Sequence, residues 1–120
     1  MATLCVPLSE KSELESPHTV KVVLDQKGFA LYFSRSPIPF AQKRTSAAAY
    51  KHVGIYGFSR SFVERFVSLP RGRLEETESL EQLRALEAGY RIKVLIVDYD
   101  GISVDTPEDL ERARLRVRET

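Results

Sequence analysis

The stretch TVKVVLDQKGFALYFS, residues 19–34, decides the fold. Two runs rich in β-branched and aromatic residues, Thr19 to Leu24 and Phe29 to Ser34, flank Asp25-Gln26-Lys27-Gly28. Gly28 supplies a backbone free to take positive φ, so the spacing predicts a hairpin or a close pair of strands. Upstream, Met1 to Leu8 is a short apolar run that reads as a buried strand. Downstream, Pro37 and Pro39 remove two amide donors and end regular pairing, and residues 41–49 form a small-residue loop. His52 to Phe58 predicts a third strand, in which Gly54 and Gly57 leave room for a ligand or a neighbouring backbone.

Beyond that strand the period changes. Phe62, Val63, Phe66 and Val67 recur at helical spacing, with Ser61 and Glu64 in a capping-box pattern, and Pro70-Arg71-Gly72 breaks the helix. Leu80, Leu83 and Leu86 then repeat at one-turn spacing between Glu75, Glu76 and Glu78 at the start and Gly89 at the end, which predicts one helix. Ile92 to Val97 predicts a strand. Thr106 reads as the N-cap of a last helix, with Pro107 in its first turn and Leu110, Ala113 and Val117 toward the core. Strands mixed with helices, and no internal repeat, imply a single α/β layered unit.

Composition narrows the function classes. The 120 residues carry 18 Lys and Arg against 17 Asp and Glu, a net charge of +1, so no bulk field argues for nucleic acid or an anionic membrane. The arginines between Arg60 and Arg73 and between Arg112 and Arg118 alternate with acids and read as solvated helix faces. The N-terminal apolar run is too short to span a membrane and lacks the basic start of a secretory signal. Cys5 is the single cysteine, which excludes an internal disulfide and favours a reducing, cytoplasmic setting. It reads as a small core residue rather than a nucleophile. Neither a phosphate-binding glycine loop nor a nucleophile elbow is present.

Several residues could carry chemistry. Asp98, Asp100 and Asp105 follow the last strand, where open α/β sheets place ligands and where hard oxygens suit Mg²⁺; the competing reading is solvated loop acids. His52 and Tyr56 are four apart in a strand and so share a face, as a polar sugar pocket needs and as hydrogen-bonded core residues also do. Arg35, where a strand meets two prolines, could grip a carboxylate bidentately or simply lie on the surface. Glu81 and Gln82 sit just off the leucine stripe, where side chains are usually solvated.

Taken in order, ATLCVP, VKVVLDQKGFALYFSRSPIPF, HVGIYGF, LEQLRALEAGYRIKV and VDTPEDLE resemble 3-deoxy-manno-octulosonate (Kdo) cytidylyltransferases, also called CMP-Kdo synthetases. The similarity runs from Ala2 to about Arg116 and corresponds to the C-terminal half of that family, so residues 1–120 are expected to form one partial domain. The fold implied is the C-terminal part of a nucleotide-diphospho-sugar transferase, a mixed sheet with packed helices. The resemblance implies activation of Kdo with CTP, releasing pyrophosphate, for lipopolysaccharide synthesis in the cytoplasm, in a family whose full-length members are homodimers. Arg35, His52, Tyr56, Glu81 and Gln82 would contact the sugar acid, and Asp105 would ligate Mg²⁺ as the catalytic metal ligand. The family's basic, glycine-containing CTP loop and a second metal-binding aspartate have no counterpart here, and Ser103 replaces a glycine usual before the VDTP motif. Met1 falls where the family is in mid-sheet, so a truncated enzyme is expected. A noncatalytic sugar-acid binding or dimerisation module, or a gene remnant, is the alternative.

Overall fold

The computed structural model describes residues 1–42, 49–98, 104 and 106–119. In chain order the elements are β1 (Ala2–Pro7), α1 (Lys11–Glu15), β2 (Lys21–Leu24), β3 (Ala30–Ser34) and β4 (Tyr50–Gly57). They are followed by α2 (Arg60–Ser68), α3 (Arg73–Glu78), α4 (Leu83–Glu87), β5 (Lys93–Ile96) and α5 (Pro107–Glu119). The five strands form one mixed sheet in the order β3-β2-β4-β1-β5; β1 and β5 run parallel and the other neighbours antiparallel.

The hairpin forms where residues 19–34 place it. Gly28 takes φ +84°, and the Asp25 carboxylate accepts from the main-chain N–H of Lys27 and Phe29 at 2.8 and 2.9 Å. An aspartate that satisfies its own turn and a glycine in the left-handed region together set the register, Lys21 opposite Ser34 and Val22 opposite Phe33. The hairpin tip then crosses to β5. Ala30 N–H donates to the Ile92 carbonyl at 2.9 Å and Val94 N–H to the Gly28 carbonyl at 2.8 Å, so the two ends of the strand order touch.

The core joins Cys5, Val22, Phe33 and Val94 from the sheet with Phe62, Leu80, Leu83 and Ala85 from the helical side, and Ile92. Cys5 is fully buried, and burial pushes its thiol up to about 11, which fits a packing role.

The structure departs from the sequence reading at five places. The α2 cap is Ser59, whose hydroxyl accepts from Phe62 N–H at 3.2 Å, not Ser61; the helix starts two residues earlier than the capping-box pattern suggests. The single helix expected through Leu80 is two, because Ser79 adopts φ +55° and ends α3. The leucine spacing still buries Leu80 and Leu83, since tight i→i+3 turns carry the chain from Leu80 into α4. In α5 the reciprocal bonds between Thr106 and Asp109 confirm the cap, yet Leu110 and Val117 are 41% and 73% exposed, and α5 adds no described side chain to the buried core. A Cβ at Gly54 or Gly57 would meet nothing within 4 Å, so no neighbouring backbone crowds them and only the open space of the ligand alternative is left. The short helix α1 was not legible at all.

Candidate functional site

β1 and β4 assemble the first part of the site. Cys5 stands opposite His52, and Thr3 opposite Tyr56, with Gly54 and Ile55 as two extra residues on β4. Because the interruption is two residues long, strand parity survives it and His52 and Tyr56 remain on one face, ring centroids 5.5 Å apart. The His52 ring also meets the edge of Phe33 at 4.9 Å. Thr3 is buried, and its Oγ1 lies 2.9 Å from His52 Nε2, 2.8 Å from the Ile55 carbonyl oxygen and 3.2 Å from that of Val53.

Burial sets the protonation states. It pushes His52 down to about 4, so the imidazole is neutral at pH 7. Tyr56 is pushed up to about 12 by burial and by the negative charge of Glu81, so its hydroxyl stays protonated, both donor and acceptor. Glu81 thus completes the reach from β4 to the turn before α4; it is exposed, and its neighbour Gln82 is buried.

Arg35 approaches the same turn from β3. Its Nε donates to the Glu78 carbonyl at 2.7 Å, and its terminal nitrogens to Pro17 at 2.9 Å and Ser79 at 3.1 Å. Three of five guanidinium N–H groups therefore hold main-chain carbonyls around the end of α3, leaving one on each terminal nitrogen. His52 adjoins Tyr56, Glu81 acts on Tyr56, and Arg35 holds Ser79 two residues before Glu81, so these four form an arc from the β1–β4 pair to the turn between α3 and α4, while Gln82, next in the chain after Glu81, is buried. Phe33 meets the His52 ring and belongs to the same core cluster as Leu80 and Leu83.

Two further groups brace this arc, and the sequence reading missed both. Lys21 is fully buried, and its Nζ donates to the carbonyls of Ser16, Thr19 and Arg35 at 2.8, 2.6 and 2.5 Å. Arg84 grips Glu75 bidentately at 2.8 and 2.6 Å and lies over the Phe66 ring, 4.9 Å from its centroid. The Arg84 bonds hold the Glu75 carboxyl below its usual range. Between α3 and α4 is an open cleft of about 470 Å³ bordered by Arg71, Glu76, Ser79, Glu81 and Arg84. Among the missed residues, Thr3 had a visible signal, a hydroxyl alternating with apolar residues on β1, and so had Lys21, a charge set between Val20 and Val22.

The metal reading falls mostly outside the described residues, which include neither Asp100 nor Asp105. Asp98, just beyond β5, is exposed. Among the described residues no cluster of three His, Cys, Asp or Glu side chains could hold an ion. No helix of the described residues is long and apolar enough to cross a membrane.

This mixed sheet, with α2 and α4 contributing to its core, has a nucleotide-sugar transferase fold. A solved CMP:2-keto-3-deoxy-manno-octonic acid synthetase, complexed with CTP, matches it with a TM-score of 0.90 and 44% identity over 99% of this chain and 49% of that one. Residues 1–93 match the family described as Cytidylyltransferase, and the chain belongs to that family. It is 50% identical over 117 residues to an 8-amino-3,8-dideoxy-manno-octulosonate cytidylyltransferase of Shewanella baltica, covering 98% of this chain and 48% of that protein. A Shewanella woodyi protein of the same description is 54% identical over 119 residues, with 98% and 49% covered. The chain spans about half the length of the curated relatives it matches.

Proposed function

We propose that this chain is the sugar-acid half of a cytidylyltransferase that activates Kdo or its 8-amino analogue with CTP. The reading takes residues 1–120 as the counterpart of the family's C-terminal half, with the CTP triphosphate held by the other half. The observation that carries it is the turn before α4, where Glu81 borders the cleft and acts on Tyr56 of β4 while Arg35 donates to the Ser79 carbonyl with two N–H groups to spare, and where His52 adjoins Tyr56 on one strand face. Tyr56 and Glu81 suit sugar hydroxyls, and the spare N–H groups of Arg35 suit the sugar carboxylate.

In this reaction the anomeric hydroxyl of the sugar attacks the α-phosphorus of CTP and the bond to pyrophosphate breaks, giving the CMP-sugar. The chain's own residues orient that hydroxyl by fixing the rest of the sugar. Asp105 is proposed as a ligand of Mg²⁺, which would neutralise charge on the phosphates. The product's use in lipopolysaccharide synthesis, the cytoplasmic setting and a homodimeric assembly belong to the same proposal.

Calorimetry and turnover test it. Kdo or the 8-amino sugar should bind the 120-residue chain saturably. CTP with Mg²⁺ should bind weakly, and pyrophosphate release should appear only when a polypeptide matching the other half of a relative is added. Absence of sugar-acid binding would overturn the assignment. Sugar binding without release in the complemented mixture would favour the noncatalytic binding module.

A further inference from the structure

We infer that Thr3 is a positioning residue that holds His52 as the Nε2–H tautomer, so that Nδ1 meets the substrate as a hydrogen-bond acceptor. The inference rests on the reading of His52 as a sugar contact and specifies what that contact can recognise.

A threonine hydroxyl has one proton and two lone pairs. At Thr3 two of the three close neighbours, the carbonyls of Ile55 at 2.8 Å and Val53 at 3.2 Å, can only accept. The single proton therefore points to those carbonyls, and Oγ1 faces the third neighbour, His52 Nε2 at 2.9 Å, with a lone pair. Nε2 must then donate. A neutral imidazole carries one N–H, so Nδ1 is left bare. The depressed basicity of the buried ring agrees, since it keeps the second proton off at pH 7.

Among the described residues Nδ1 has no hydrogen-bond partner, and no buried side-chain nitrogen or oxygen lacks one. Nδ1 is therefore without a protein partner and is not sealed in the core. A ligand that meets it must offer a donor, and a sugar hydroxyl or an alkyl ammonium both do. A neutral acceptor suits the ammonium that an 8-amino sugar carries, where an imidazolium would repel it. The substrate class implied at this position is a hydroxyl- or ammonium-bearing end of the sugar acid, never its carboxylate.

The chain has two histidines, His18 and His52, so long-range proton–nitrogen NMR on the ¹⁵N-labelled protein reads the tautomer directly. His52 is expected to show a protonated Nε2 and a bare Nδ1. Thr3→Ser should keep that pattern, and Thr3→Val, which preserves shape but removes the acceptor, should lose it. An Nδ1-protonated or mixed ring in the wild type overturns the inference, and that spectrum decides even if Thr3→Val does not fold. A folded Thr3→Val protein with an unchanged pattern also overturns it. Titration with Kdo should move Nδ1 while leaving Nε2 in place; a saturated complex with Nδ1 unmoved overturns the presentation of Nδ1 to the sugar. Absence of any binding counts against the sugar-acid reading, because the tautomer is established without ligand.

Discussion

Around the base of the β2–β3 hairpin, Lys21 and Arg35 each direct three N–H groups at main-chain carbonyls. On β4, His52 and Tyr56 are half-buried in the same sheet, and His52 uses one ring nitrogen on protein while the other has no protein partner. Both corners are polar and both are built on strands. The difference is spare capacity: saturated donors fix the backbone, whereas a group with an unused atom can meet a ligand. Arg35 belongs to both corners, since it braces the end of α3 and retains two donors.

The contrast predicts effects of decreasing size. Lys21→Met should be the most damaging change, because it leaves three carbonyls without their donor in a fully buried position. A loss of roughly 5 kcal/mol is expected, comparable to the whole stability of a small domain, and denaturant melts would read it. Survival of a cooperative transition near the wild-type midpoint would show that the saturated corner is not a scaffold.

Next comes the pH dependence of His52. Its folded pKa of about 4 lies below the ordinary 6.5, so between those values the unfolded chain binds the proton and the folded chain does not. Stability should therefore rise with pH through that window, by about 3 kcal/mol in all, and level off above it. His52→Gln should flatten the rise. Glu75 acts lower: its depressed carboxyl contributes stability above its unfolded value, and the contribution is lost as pH falls through the folded one.

Arg84→Met, which strands Glu75 beneath the cleft, should lower the melting midpoint by roughly 5–10 °C. The smallest effect belongs to the site itself. Tyr56→Phe removes one hydroxyl and should weaken sugar-acid binding by about 1 kcal/mol, roughly fivefold, with an almost unchanged melt. A large stability loss with intact binding would move Tyr56 into the scaffold.

What the sequence revealed follows the range of the interactions. The 19–34 hairpin was legible because Asp25 and Gly28 act within the turn they form. The shared face of His52 and Tyr56 was legible because parity survives a two-residue interruption. The break at Ser79 was not, since its left-handed backbone is held by Arg35 from a distant strand. The Thr3–His52 pair was hidden for the same reason: it exists only through the pairing of β1 with β4. The exposed stripe of α5 shows the converse, a local pattern to which the described core offers no partner.

The meeting of the hairpin tip with β5 has a kinetic meaning. Of the described strands β1 is made earliest, yet its partners are β4, beginning at Tyr50, and β5, ending at Ile96. The tip bonds at Gly28 and Ala30 likewise wait for Ile92 and Val94. Strand pairing over such sequence separations is slow, so during synthesis β1 waits for both of these neighbours until most of the described sheet has emerged. The nascent chain is then exposed to association with other chains over that interval, and the last strand acts as the clasp that ends it.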